Sequence, residues 1–142
     1  MSEQPRFTLH SEGVVHEPAR DLHWTQDDIT TERVTHADAL AAVAKLNEQS
    51  FGGFTDWRLP TVEELFLLAD RTKYNPAIDT AFFPSCKSDW YWTATDDASE
   101  EKDEETGHSD YAWVVHFSHG RSSICNRTYS HRVRAVRGPA RQ

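Results

Sequence analysis

The apolar residues of this chain switch period twice. From Arg6 to Trp24 they alternate in short runs, from Thr35 to Asn47 they recur at helical spacing, and from Trp90 onward they alternate again. A chain that passes in blocks from strands to helices and back predicts an α+β fold, with helices packed against antiparallel sheet. Ser11, Glu12 and Gly13 break the first run, so it reads as a hairpin with strands near Phe7 to His10 and Val14 to His16. A short strand at Leu22 to Trp24 follows. Ala39, Leu40, Ala42, Val43 and Leu46 mark the first helix, and Thr35 with Asp38 three residues later supplies its N-terminal cap.

Phe51, Gly52 and Gly53 end that helix and open a turn into the extended stretch Asp56 to Pro60. Thr61 caps a second helix, with Glu63 and Glu64 at its positive end and Leu65, Leu67, Leu68 and Ala69 as its buried stripe. Arg71 to Ser88, with Pro76 and Pro84, is mostly irregular. The later strands are Trp90 to Thr95, Tyr111 to Phe117, Ser122 to Cys125 and His131 to Val136, and together they predict a late antiparallel sheet. A turn at Ser118 to Arg121 joins two of them through Gly120. Residues 96–110 form a polar run with eight acidic residues and read as a long surface loop.

At 142 residues the chain is one domain's length, and 37% hydrophobic content with five Trp is enough to bury a core. Its formal charge of −8, from 23 acids against 15 Lys and Arg, repels phosphate backbones, which disfavours direct nucleic-acid binding. Met1 to Arg6 lacks the apolar core of a signal peptide, and no stretch reaches the roughly 18 apolar residues of a membrane span. A cytoplasmic location is expected, with a phage particle as a second setting. Cys86 and Cys125 lie far apart, with no neighbouring cysteine to suggest a redox or zinc motif, and read as two reduced thiols.

The run Gly53 to Thr61, followed by Glu64 and Leu65, resembles the WRLPT-x-x-EL motif of the DUF1566 family, also called the Lcl C-terminal domain family. Asn75 to Asp79, Phe83 and Pro84, Tyr91 to Thr93, Ala112 to Val115 with Phe117 and Gly120, and Val133 to Gly138 follow the family's order. The resemblance extends over about residues 13–138. It implies a C-type-lectin-like fold: two helices packed on a twisted antiparallel sheet with long loops, the first and last strands lying together. It also implies a binding role, since relatives include adhesin domains for sulfated polysaccharides and proteins of phage or cell surfaces. No catalytic residues, metal or cofactor come with it. The chain departs from the family at Ala135, where secreted members have a Cys, and at His116, where the family has Asp. The calcium-binding triplets of sugar-binding C-type lectins are missing.

Alternation along Tyr111 to Phe117 assigns Tyr111, Trp113, Val115 and Phe117 to the core, with stacking on a ligand as the functional alternative. Trp90 and Trp92, just before the acidic run, are the better candidates for a binding surface. Asp97, Arg121, Arg127 and Tyr129 complete the candidate ligand-binding set, because Arg and Tyr are enriched where proteins bind. Arg134, in a strand, needs a carboxylate partner, for which Glu63 or Glu64 is expected. His108, His116, His119 and His131 invite a metal site, but their spacing does not specify one, and the acidic run lacks the spacing of a calcium loop. Cys125 with His131 or His119 is the pairing that could support nucleophilic catalysis. The expected function is therefore a non-catalytic binding module for a glycan or other ligand. The alternative is a small protein-interaction factor acting through the acidic run, with possible nucleic-acid mimicry.

Overall fold

A computed structural model describes residues 6–11, 13–70, 72–96, 111–118 and 120–138. The chain order is β1 (Thr8–Ser11), β2 (Val14–Glu17), β3 (Leu22–Thr25), α1 (His36–Glu48), a 3-10 turn (Phe51–Gly53), α2 (Val62–Leu68), β4 (Trp90–Asp96), β5 (Tyr111–His116), β6 (Arg121–Asn126) and β7 (Val136–Arg137). The architecture is α+β, with two helices and two antiparallel sheets, ordered β1-β2-β3-β7 and β4-β5-β6.

Both helix starts follow their local chemistry. The Thr35 side chain accepts the Asp38 N–H. At α2 the Thr61 hydroxyl accepts the Glu64 N–H while the Glu64 carboxylate accepts the Thr61 N–H, a reciprocal capping box. The α1 exit needs left-handed backbone: Gly52 has φ of 64°, and a Cβ there would lie 2.6 Å from a Val14 methyl carbon. Asn47 then brackets Trp57, accepting its N–H at 2.7 Å and donating to its carbonyl at 3.0 Å.

Where one twisted sheet is expected there are two, and the last strand leaves the late sheet. Residues 131–135 cross between the sheets with only isolated bridges, Val34 to His131 and Tyr91 to Arg132. β7 then pairs with β3, in register His23 to Arg137 and Trp24 to Val136. The first and last strands are therefore in one sheet without touching. The two successive hairpins put β1 at the far edge and leave β3 as the edge that receives β7.

The late sheet is covered on both faces, so the interior forms two clusters. Tyr91, Val115 and Phe117 pack with Leu65 and Leu68 of α2, with Trp24 and with Phe83. Trp92, Ala112 and Val114 pack with Ala39 and Val43 of α1, with Trp57 and with Leu59. This corrects two expectations. Ala112 and Val114 are buried as fully as Val115, because a strand between two layers is apolar on both sides. Tyr111 and Trp113 are only half-buried, because α2 begins at Val62 and Trp113 lies beside that first turn rather than under the helix. Leu67 is 52% exposed, since a helix that turns Leu65 and Leu68 inward turns Leu67 out.

Arg134 is fully buried and pairs with neither Glu63 nor Glu64. Its guanidinium donates to the carbonyls of Thr25 and Gln26 and lies 3.3 Å from Asp28. Glu64 is taken by Arg58, which reaches both carboxylate oxygens at 2.7 and 2.8 Å. Burial opposes the Glu64 charge, but those bonds and the Thr61 N–H hold its carboxyl below the usual range. Arg58 lies in the extended segment just before α2 and is the nearer cation. Arg134 is left to the loop after β3.

Candidate functional site

The residues expected to bind ligand do not converge. Trp92 is fully buried: it is 0% accessible, its Nε1–H donates to the Val34 carbonyl at 2.8 Å, and it belongs to the α1-side core. Its place as a surface aromatic is corrected, because both faces of the late sheet are covered. Trp90 and Arg121 do meet, with the guanidinium carbon 5.5 Å from the Trp90 ring centroid. His116 stands between them in register, its ring 4.7 Å from that of Trp90. Arg127 lies at the opposite end of β6, donating to His36 at 2.6 Å, and Tyr129 is 63% exposed just beyond it. Six strand residues separate the two ends by about 17–20 Å, too far for one small ligand. Asp97, most of the acidic run, His108 and His119 lie outside the described residues.

The Cys125–His131 pair is brought together, with Sγ 3.1 Å from Nε2. Burial pushes the Cys125 thiol up and the His131 imidazole down, so both groups favour their neutral forms. The contact is therefore a thiol–imidazole hydrogen bond rather than an activated ion pair. Iodoacetamide labelling of Cys125 should rise about tenfold per pH unit from pH 7 to 9, the behaviour of an unactivated thiol. A plateau in that rate below pH 8 would contradict this. Cys86, 6% exposed and with its thiol also raised by burial, should label far more slowly in the folded protein.

A different surface has the shape and chemistry of a ligand site. Between α2 and the outer face of β5 and β6 lies an open groove of about 210 Å³ lined by Val62, Glu63, Phe66, Trp113 and Ser122. It exists because α2 is short and β6 is an edge strand. The β5–β6 register sets Val115 opposite Ser122 and Trp113 opposite Ile124, so Ser122, Ile124 and Trp113 share the α2-facing side. Under the helix that side is closed by Val115. Beyond it, Trp113 is left with a half-buried indole, Ile124 is 41% exposed, and Glu63 extends from the first helical turn as the groove's charged rim.

Two other depressions fit a ligand less well. The groove of about 440 Å³ between α1 and residues 57–61 contains Trp57, whose ring is 3% exposed and offers no face. The polar cleft of about 370 Å³ around Asp27, Asp28, Ser85, Lys87 and Arg132 has no aromatic lining among its described residues, and most of its polar groups are engaged within the protein. Ser85 donates to Asp27, while Arg132 bonds Asp89 and lies 3.7 Å from Asp28. The sequence assigns Trp113 to the core, and what could have singled it out is where the helix starts: the Thr61 cap puts the first turn of α2, Val62 and Glu63, beside Trp113, so no further helical residue lies beyond it on that side.

A second feature that sequence reasoning did not isolate is a row of imidazoles on the first sheet. His16 pairs with His23, which pairs with Arg137, and His10 closes on His23 with ring centroids 4.9 Å apart. Burial first, then the proximity of His16, Arg137 and His10, lowers the His23 pKa to about 4.

Among the described residues no three His, Cys, Asp or Glu side chains are grouped as a metal ion would require, and no helix is long and apolar enough to cross a membrane. Residues 13–137 match the family model described as the Lcl C-terminal domain. No curated protein matches the chain.

Proposed function

This chain belongs to the Lcl C-terminal domain family, and from that premise we propose that it is a non-catalytic binding module, C-type-lectin-like in fold, that seats a saccharide against Trp113. The observation that carries this reading is the α2–β5–β6 groove, where an available indole sits beside a carboxylate and a hydroxyl. Saccharide rings present a C–H face that packs on an aromatic surface and a rim of hydroxyls that need polar partners. Trp113 and Val62 would take the face; Glu63 and Ser122 would take the rim. The neutral Cys125–His131 contact supports a role without nucleophilic chemistry. The two free thiols suit the reducing cytoplasm in which we place the chain.

Retention on a panel of immobilised oligosaccharides tests the reading. Trp113→Ala should weaken binding to the best-retained oligosaccharide by about tenfold or more, as loss of an aromatic anchor does, with unchanged circular dichroism. Trp90→Ala should leave it unaffected. The opposite result would move the site to the Trp90–Arg121 end of the sheet, and no retention of any saccharide would remove the glycan reading.

A further inference from the structure

We propose that the groove selects saccharides carrying a protonated amine, such as 2-amino-2-deoxyhexose units, over sulfated or carboxylated ones. This rests on the saccharide reading of the same site. The first observation is the state of Glu63. Several other carboxylates are held by cations, Glu64 by Arg58, Glu17 by Arg20, Asp56 by Arg137, Asp28 by Arg134 and Asp89 by Arg33 and Arg132. Glu32, Asp38, Glu48 and Asp79 have no such ion pair among the described residues, but of the unpaired carboxylates Glu63 is the one that lines this groove. Glu63 is exposed, lines the groove and has no ion-pair partner among the described residues. A carboxylate beside an indole face is a combination that attracts a cation, by charge and by the ring quadrupole together.

The second observation is that the groove lacks what an anion needs. None of its described lining residues is cationic. Arg121, the nearest cation in β6, is adjacent to Ser122 in sequence and so projects to the other face of the sheet, where it lies over Trp90. Three of the backbone N–H groups that begin α2, those of Val62, Glu64 and Leu65, are also engaged. Val62 donates to the Thr95 hydroxyl at 2.9 Å, Glu64 to the Thr61 hydroxyl at 3.2 Å and Leu65 to the Thr61 carbonyl at 3.0 Å. With a formal charge of −8 over the whole chain, a sulfated ligand meets repulsion on approach and no cation among the described lining residues on arrival.

The test uses the full chain and three oligosaccharides of equal length: a glucosamine oligomer, its N-acetylated form and a sulfated oligomer, compared by titration calorimetry at low salt. The glucosamine oligomer should bind tightest and the sulfated one weakest. Glu63→Gln should weaken the glucosamine oligomer about fivefold, the upper range for an exposed ion pair, bringing it level with the N-acetylated form, whose affinity should not change. Sulfated binding equal to or tighter than glucosamine binding, or an equal effect of Glu63→Gln on both hexosamine forms, overturns the amine preference. In that event the saccharide reading still stands if Trp113→Ala weakens whichever oligomer binds. If none of the three binds, both ideas fall. Because Glu63 is exposed and contributes only a first-turn charge to α2, Glu63→Gln should lower the denaturant midpoint only slightly and keep the cooperative transition, which separates a lost contact from a lost fold.

Discussion

Arg134→Leu should lower the stability of this domain by about 3–5 kcal/mol, the range for removing one member of a buried ion pair. The arginine has no exposure, so none of its interactions is replaced by water when it is lost. Its guanidinium ties down the carbonyls of Thr25 and Gln26, where the chain leaves β3, and lies 4.9 Å from the Phe83 ring centroid and 5.9 Å from that of Tyr91. Leucine would fill part of the volume and satisfy neither carbonyl. Asp28 would keep the Tyr91 hydroxyl at 2.6 Å and the more distant Arg132, but would lose its closest cation. Burial already pushes the Asp28 carboxyl up against the pull of Arg134, so without that arginine the carboxyl should rise further and take up a proton.

Asp28→Asn in the Arg134→Leu background should therefore recover about 1 kcal/mol or more, whereas Asp28→Asn alone should destabilise. Urea unfolding followed by tryptophan fluorescence measures both, and the single substitution should bring the midpoint down by about 1–3 M. A loss below about 1 kcal/mol, or strictly additive effects of the two substitutions, would show that Arg134 is tolerated in the interior rather than holding it together.

Arg134 also marks where sequence stops informing the fold. That a buried guanidinium needs a carboxylate follows from desolvation alone, but Asp28 is 106 residues away, and only the course of the chain after β3 brings it near. Features decided within one turn are legible: Thr35 and Thr61 cap their helices because the acceptor and donor are three residues apart. The strands read correctly to within a residue or two for the same reason, except β7. Its two residues pair with β3 rather than with the late sheet, a choice made by which edge is left open.

The candidate site divides along the same line. Alternation correctly put Trp113 and Val115 on one face, but it carries no record of how far a helix extends over a sheet. Burial of Trp92 and partial exposure of Trp113 both depend on that extent. Glu63 and Glu64 are neighbours with opposite fates: one helical step turns Glu64 into the Arg58 pair and Glu63 onto the groove.

The row of histidines on the first sheet leads to an acid-sensitivity that is expected at mild pH. His23 is 9% exposed, accepts a hydrogen bond at Nδ1 from Arg137 at 2.9 Å, stacks on His16 at 4.5 Å and meets the His10 and Phe54 rings at 4.9 Å each. Arg137 is held in place by two bonds to Asp56, at 2.8 and 3.0 Å. Protonating His23 would set a cation against the Arg137 guanidinium inside a crowded face, with Asp21 the acidic group that offers partial relief. Its folded pKa is about 4, below the ordinary histidine value of about 6.5 in the unfolded chain. The unfolded state therefore binds the proton more readily. The stabilisation is complete above about pH 6.5, shrinks as pH falls toward 4 and does not change further below that.

Discounted for solvent screening at the sheet surface, the loss between pH 7.5 and pH 5 should be about 1–2 kcal/mol. The carboxylates held low, Glu64 and Asp89 among them, lose their contribution only at lower pH. His131, also held low by burial, contributes in the same window, so the part that belongs to His23 is read as the difference from a His23 variant. His23→Gln keeps an acceptor for Arg137 and removes the titration. Chemical denaturation at pH 7.5, 6.5, 5.5 and 5.0 should give a wild-type stability that declines with acid and a variant that declines less, by about that 1–2 kcal/mol, because His131 still titrates in it. Parallel decline of the two proteins would show that His23 takes up its proton in the folded state without penalty, and that the imidazole row is not the source of the acid sensitivity.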